Sequence, residues 1–502
     1  MGGMSQQHFD VLIVGAGISG IGMAAHITQN SPKRSYAILE RREAIGGTWD
    51  LFRYPGIRSD SDMSTFGFEF RPWTGSKVLA DGGSIRQYVE DTAKEYGVLP
   101  HIHFQRTTKS ASWSSADQRW TLKVLNEKTQ ETETWTANFL IGCTGYYNYD
   151  EGYRPQFPSE GDFKGQIIHP QHWPENLDYS GKKVVIIGSG ATAITLVPSM
   201  TDKAAHVTML QRSPTYIATV PSIDFLFDKM KKVMPEKLAY KITRGRNIGL
   251  QRLIFKLSKE RPEAVKRFLL SAIKMQVGKN VDMKHFTPHY NPWDQRLCVV
   301  PDGDLFKVLK SGKASVETDH IDRFTEKGIL LKSGKELEAD IIVTATGLNI
   351  QILGGVEADV DGKPLLPSEH MIYKGVLLSD VPNAAIVVGY TNASWTLKVD
   401  IVGKYLTRLF NFMDKHHYHV VNAVSDPSLM LQDTILGSLS AGYVMRAADR
   451  IPRQGKKAPW QSSGNYLVDR DDLKKCGFED GVLQFNAKGT AKATGKKKAS
   501  AA

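Results

Sequence analysis

Cysteine is scarce in this chain of 502 residues: Cys143, Cys298 and Cys476 are scattered, and no C-x-x-C pair occurs. That excludes a disulfide framework, a zinc ribbon and a dithiol redox centre, and a reduced cytoplasmic protein is the simple expectation. Long apolar runs are also missing. No stretch reaches the ~20 apolar residues that a membrane-crossing helix needs. Residues 11–25 come nearest and lie where a signal peptide would, but Asp10 precedes them, no Lys or Arg stands before them, and three glycines fall inside at phosphate-loop spacing. Acidic residues are in deficit, 53 against 64 Lys and Arg, for a formal net charge of +11. With 41% hydrophobic residues the chain otherwise has the make-up of a soluble globular protein of two or three domains.

What is present is glycine at two places that matter. Residues 9–14 read as a buried strand, followed by Gly15-Ala-Gly17-Ile-Ser19-Gly20 and a helix to about residue 27. Residues 36–39 form the next strand, which ends in Glu40, 25 positions after Gly15. This is the pattern of a βαβ dinucleotide unit. Its glycines allow a tight turn, close approach of backbone to a pyrophosphate and close packing of helix on strand, while the helix N-terminus offers unpaired N–H groups. Glu40 can accept hydrogen bonds from a ribose diol, so the first unit suits FAD. The second unit has a strand at 183–187, the loop Gly188-Ser189-Gly190-Ala191-Thr192-Ala193 and a strand at 207–210, and it ends in Gln211-Arg212 with no acid. A carboxylate there would repel a 2′-phosphate, whereas an arginine can pair with it, so this unit suits NADPH. The expected fold is α/β, with two Rossmann-like dinucleotide-binding domains.

One such loop is weak evidence; the string between the two is stronger. It reads Phe163-Lys-Gly165-Gln-Ile-Ile-His169-Pro-Gln-His-Trp173-Pro174. This F-x-G-x-x-x-H-x-x-x-W-P pattern resembles the fingerprint of type I Baeyer–Villiger monooxygenases. The segments Gly46-Gly47-Thr48-Trp49, Arg53-Tyr54-Pro-Gly-Ile-Arg58-Ser-Asp60-Ser-Asp62, Pro288-His-Tyr-Asn-Pro-Trp-Asp-Gln-Arg296-Leu-Cys298 and Tyr390-Thr-Asn-Ala-Ser-Trp395 narrow the likeness. They resemble the EthA/AlmA-like branch of the class B flavin monooxygenases, over about residues 8–485.

The resemblance implies FAD and NADPH as cofactors, O2 as co-substrate and a C4a-peroxyflavin as oxidant. The implied reaction inserts one oxygen beside the carbonyl of a ketone to give an ester, with oxidation of thioethers or thioamides alongside. The apolar insert residues Phe225, Leu226, Phe227 and Phe255 suggest a greasy substrate route and so a hydrophobic, linear ketone. The resemblance also implies that Gly47, Thr48, Trp49, Tyr54, Arg58 and Asp60 lie near the flavin and that Arg296 is the active-site arginine. Anionic species in such a reaction need a permanent cation shielded from water, which arginine supplies and lysine can lose. Asp60 would position that arginine. One departure stands out: many members carry a lysine just before this arginine, against the NADPH 2′-phosphate, where this chain has Gln295. Arg212 is then left to carry the phosphate recognition, and the strength of the NADPH preference stays open.

Other readings share the nucleotide folds. One is an N- or S-oxygenating or long-chain alkane-associated flavin monooxygenase; Trp173-Pro174 and Arg296 weigh against N- or S-oxygenation. Another is a membrane-docked redox sensor. A metal pair at His169 and His172 is disfavoured by Pro170 between them and by the absence of a carboxylate or cysteine cluster, so no metal is expected. For His169, coupling of domain motion to cofactor binding is the preferred role.

The FAD-binding domain is expected over residues 1–150 and 346–485, a fingerprint-bearing linker over 151–180, and an NADP-binding domain over 181–345. The last is interrupted at about 221–286 by a helical insertion, with Pro235 and Pro262 separating its pieces. Leu250, Leu253, Ile254 and Leu257 share one helical face there. Residues 222–285 hold 16 Lys and Arg against 6 Asp and Glu. Three readings of this charge compete: a solvated face, a peripheral contact with an anionic membrane, and nucleic-acid binding, which has little to explain here. Residues 486–502 add five lysines without aromatics or aliphatics beyond alanine, and are expected to be a disordered basic tail.

Overall fold

The computed structural model describes residues 7–279, 281–295, 297–437 and 442–489. Arg296 and the tail from 490 onward lie outside the described residues.

The first unit is built on an eleven-stranded sheet. Gln7–Val14 lies parallel between Tyr36–Glu40 and Glu131–Gly142. Its residues alternate between two cores: Val11 and Ile13 pack with the helices, Leu12 with the opposite layer. That is the period-2 geometry of a strand covered on both faces, and it explains the unbroken apolar run. Glu131–Gly142 divides its free edge between two neighbours. Its first half pairs antiparallel with Arg119–Asn126, and its end pairs in parallel with Ala384–Ile386. A distant part of the chain therefore completes this sheet, and the helix Trp395–Lys415 packs beside Ile18–Asn30.

The second unit has five parallel strands in the order Ala314–Thr318, His206–Gln211, Lys183–Ile187, Ile341–Thr344 and Gln166–Ile168. Val184 and Ile186 face one core, Val185 and Ile187 the other. The edge strand Gln166–Ile168 comes from the fingerprint itself. Chain traffic between the units runs through Tyr147–Gly152 and Leu348–Ile350, which pair antiparallel.

The insertion is framed by Ile217–Val220 pairing with Cys298–Pro301. It holds the helices Phe225–Val233, Glu236–Glu260 and Pro262–Val277. Pro235 and Pro262 sit at the starts of the second and third, where a missing N–H costs nothing. Asn486 and Ala487, expected to lie in the tail, belong instead to a strand. Leu483–Ala487 is a strand against Tyr418–Ala423, held because Phe485 stacks on Tyr418 and meets Phe412.

Candidate active site

Both nucleotide helices open on an uncapped glycine. Gly17 precedes Ile18–Asn30 and Gly190 precedes Ala191–Met200, each without a side-chain cap. Asp62, Asp81, Asp224 and Asn465 cap other helices with their side chains. Leaving the first N–H groups of two helices unoccupied at the ends of parallel strands is the arrangement that receives phosphates.

At the first loop the glycines are sterically required. A Cβ at Gly15 would lie 2.6 Å from the Cys143 carbonyl oxygen, and one at Gly20 1.9 Å from the Gly15 oxygen. Glu40 ends its strand buried, accepting the Ala16 N–H at 2.6 Å and the Arg42 N–H at 2.8 Å. Burial raises its carboxyl pKa, opposed by those two N–H groups and by the Arg42 and Arg41 charges. Each oxygen keeps a lone pair for a ligand hydroxyl. A cleft runs past Gly15, Gly17, Glu40, Gly47, Thr108 and Tyr149. The Thr108 hydroxyl is buried here without a hydrogen-bond partner among the described residues. These residues fit the nucleotide half of FAD. Ser19 is committed elsewhere: its hydroxyl accepts the Trp395 indole N–H at 2.7 Å, joining this helix to the start of Trp395–Lys415.

The segment 46–62 divides its residues between the units. Gly47 faces Gly17 across the cleft, Thr48 starts a short helix, and Trp49 meets Phe66 edge to face. Tyr54 turns the other way. With Leu51 and Phe52 it packs into the core of the second unit beside Ile194 and Val197, and its hydroxyl, pushed up to about 12 by burial, reaches the Thr192 side chain. Arg58 also crosses, with its guanidinium 2.6 Å from the Asp304 carboxylate. Tyr54 and Arg58 thus fasten the loop to the second unit, away from the first cleft. Asp60 is exposed just beyond, and Asp62 accepts Asn247 at 2.8 Å and Gln251 at 2.6 Å from the long insert helix.

One residue of this loop had no role assigned from sequence. Asp50, 1% exposed, receives Arg42 at 2.7 Å, Arg53 at 3.0 Å and Arg86 at 3.5 Å. Three arginines on one buried carboxylate fix the Gly46-Gly47-Thr48-Trp49 turn against the end of Tyr36–Glu40. The available signal was an acid ending a glycine–aromatic turn with arginines at 42 and 53 on either side.

In the second unit Gly190 differs from Gly15 and Gly20: nothing lies within 4 Å of an added Cβ, so the space before Ala191 is open. Ser189 donates to the Ser213 carbonyl at 3.0 Å and so shapes the turn from its side chain. Gln211 points inward, its amide donating to the His285 carbonyl at 2.7 Å and the Thr318 hydroxyl at 2.9 Å. It braces the insertion's return rather than facing the cleft. Arg212 follows and is exposed at the strand end. The residues fit a phosphate-bearing dinucleotide, with Arg212 as the cation on offer.

The fingerprint residues gather at the connection between the units. Phe163 is buried against Phe324, and a Cβ at Gly165 would strike the Asp340 carbonyl at 2.3 Å. The His169 ring wedges against Gly152, and its Nδ1 accepts the Gln171 N–H at 3.2 Å. Burial lowers its pKa, which keeps it neutral near pH 7. Beside it the Tyr153 N–H donates to the Gly347 carbonyl at 3.0 Å and the Thr346 hydroxyl to the Tyr153 carbonyl at 2.6 Å. Trp173 and Pro174 follow, half-buried, with Trp173 packed on the second unit's core.

Comparison with known proteins agrees with this geometry. A flavin-binding monooxygenase-like family model matches residues 76–410, and an NAD(P)-binding Rossmann-like domain model matches 13–75. The chain is 61% identical over 484 residues to the probable FAD-binding monooxygenase AlmA of Acinetobacter baylyi, covering 96% of this chain and 97% of that one. It is 55% identical over 485 residues to the putative FAD-containing monooxygenase MymA of Mycobacterium tuberculosis, covering 96% and 98%. Identity to the FAD-containing monooxygenase EthA of the same species is 50% over 481 residues, covering 95% and 98%. Among solved structures, an oxidized steroid monooxygenase bound to NADP aligns with a TM-score of 0.78 at 20% identity, covering 96% of this chain and 100% of that one. An epsilon-caprolactone-bound cyclohexanone monooxygenase aligns at 0.75 and 16%, with the same coverage. At such identities the structural likeness concerns the fold. The chain belongs to the flavin-binding monooxygenase-like family, as a class B flavin monooxygenase of the AlmA, MymA and EthA branch.

Proposed function

We propose that this monooxygenase binds FAD at the first loop and NADPH at the second, and inserts one atom of O2 beside the carbonyl of hydrophobic, linear ketones. The overall change is ketone + O2 + NADPH + H+ to ester, NADP+ and water. The same site would oxidise thioethers or thioamides. The observation that carries the reading is the pair of uncapped helix N-termini, one beside the buried Glu40 and the other beside Arg212.

Bound FAD, reduced by NADPH, supplies the oxygen-activating chemistry. Glu40 would hold the flavin nucleotide's ribose through its two free lone pairs. Arg212 would pair with the 2′-phosphate, a contact a lone surface arginine can make bidentately. Arg296, the arginine of the Pro288–Cys298 motif, is assigned the permanent cation beside the reacting carbonyl oxygen, and Asp60 the carboxylate that orients it. Asp50, Tyr54 and Arg58 keep the intervening loop fixed, so that Asp60 is presented from a braced turn. Substrates of this kind partition into bilayers, and the basic insert is the candidate surface for a peripheral membrane contact.

The test is product mass spectrometry after incubating FAD-loaded protein with NADPH, O2 and 2-decanone, with Arg296→Ala alongside. An ester one oxygen heavier, missing from the variant, is the expected result. NADPH consumption that yields hydrogen peroxide and no ester, with 2-decanone and with a panel of longer ketones, would overturn the ketone assignment.

A further inference from the structure

The long insert helix has two faces of opposite character. Tyr240, Arg244, Asn247 and Gln251 form one stripe, at the three- and four-residue spacing of a helix face. That stripe is locked down. Arg244 donates to the Gly67 carbonyl and Tyr240 stands beside it, while Asn247 and Gln251 bind Asp62. The opposite stripe, Leu238, Ile242 and Leu253, is 46–52% exposed. Leu250 and Ile254 continue it at 52% and 40%. This apolar face therefore points to solvent, although the helix itself is firmly seated.

The neighbouring helices repeat the feature. Phe225 is 70% exposed, Phe268 73% and Met275 79%. Ten of the fourteen large apolar side chains left exposed among the described residues fall within 225–275. Charge concentrates at the same place. Residues 225–277 contain 14 Lys and Arg and 4 Asp and Glu, an excess of 10 out of the chain's total of 11. Lys237, Lys241 and Arg252 lie along one flank of the apolar stripe and have no ion-pair partner among the described residues.

We infer that the three insert helices dock this enzyme on an anionic lipid bilayer, with Ile242, Leu253 and Phe268 entering the headgroup–acyl boundary and Lys241 and Arg252 meeting the phosphates. An apolar stripe bordered by Lys and Arg on a helix lying parallel to its support is the form an interfacial helix takes. Charge complementarity selects the occupant. A second copy would bring one strongly positive face against another, and a nucleic acid would leave the ten apolar side chains unused. No helix among the described residues is long and apolar enough to cross a membrane, so the contact is peripheral. The inner stripe ties this surface to Asp62, two residues from Asp60, so the docked face is rigidly joined to the loop proposed to serve the flavin. Docking extends the proposed use of bilayer-soluble substrates, but vesicle binding and oxygenation are separate measurements and can fail separately.

The experiment is co-sedimentation of the full chain with vesicles of phosphatidylcholine alone or mixed equally with phosphatidylglycerol, at low and high salt. The wild type should pellet with the anionic vesicles only, and less so as salt rises. Lys241→Glu with Arg252→Glu should weaken binding by more than about tenfold. Ile242→Ser with Leu253→Ser should weaken it also at low salt. These side chains are exposed, so melting temperature and flavin content should stay at wild-type values. A chain ending at Gly489, which removes four of the tail's five lysines, should still bind. The inference is overturned if the wild type does not pellet. It is equally overturned if binding follows the tail and ignores the insert variants, or if sedimentation velocity shows that the apolar stripe drives self-association instead.

Discussion

The Arg244 guanidinium stands 3.5 Å from the Asp400 carboxylate, with side-chain exposures of 8% and 1%. The pair joins the insert of the second unit to the long helix Trp395–Lys415 of the first. His26 approaches the other Asp400 oxygen at 3.2 Å, and the Glu69 N–H donates to Asp400 at 2.8 Å. Arg244 also donates to the Ser64 carbonyl at 2.9 Å and the Gly67 carbonyl at 2.6 Å. A buried charge pair gains little over apolar packing while intact, yet losing one partner leaves the other desolvated and unpaired.

Arg244→Met is therefore expected to lower the unfolding free energy by about 3–5 kcal/mol, read by urea denaturation. Loss below about 1 kcal/mol would show that water or His26 already compensates Asp400.

Glu40→Gln keeps the shape of the buried side chain but removes a charge-assisted acceptor. FAD affinity should fall about ten- to a hundredfold, measured by retention of flavin absorbance through dialysis. Unchanged retention would take Glu40 out of flavin binding.

The parts of the site legible in the sequence are those whose geometry is local. Gly20 must be glycine because a Cβ there would strike the Gly15 oxygen five residues earlier in the same loop. The alternation of Val184 to Ile187 between two apolar cores is likewise a property of four consecutive residues, and so the α/β class is readable. What could not be read depends on partners far along the chain. Arg58 meets Asp304 246 residues away, and Arg244 meets Asp400 across 156. Gln211 looked like a cofactor contact because it stands at the right place on its strand; only the return of the insertion at His285 shows where its amide goes. The outward turn of Leu253 and Phe268 is illegible for the same reason, since helical periodicity identifies an apolar face but not what covers it.

The two kinds of glycine should behave differently. Gly20→Ala forces a Cβ to 1.9 Å from the Gly15 oxygen, so the first loop must distort and both stability and flavin content should fall. Gly190→Ala meets nothing within 4 Å, so the melting temperature should not change. The added methyl occupies the space proposed for NADPH phosphates, and KM for NADPH should rise about tenfold. A Gly190→Ala enzyme with wild-type KM would move the second nucleotide elsewhere.

Arg212→Ala should raise KM for NADPH about ten- to a hundredfold and leave KM for NADH nearly unchanged, because the lost pair is with the 2′-phosphate alone. With Gln295 before Arg296 and Leu297 after it, no second cation adjoins Arg296 in sequence to soften the effect. Equal changes for both nucleotides would indicate a general electrostatic role.

Acid should weaken the join between the units before it protonates the ion pairs. Burial lowers the pKa of His169, and the same cause lowers those of His206 and His285 in the second unit. A depressed histidine pKa means that the unfolded chain takes up a proton more readily than the folded one, so stability rises with pH across that interval. The contribution is fully present above the unfolded value of about 6.5 and is lost as pH falls through the lower folded values. Asp150, held down by Arg41, and Glu133 lose their contributions as pH falls below the ordinary carboxylate range, so the histidine loss begins first. Melting temperature should thus begin to fall below about pH 6.5, and the slope should be shallower in His169→Gln, which cannot be protonated. If the variant keeps the full slope while His206→Gln or His285→Gln removes it, the acid-sensitive element is the second sheet's edge and not the wedge between Gly152 and the fingerprint.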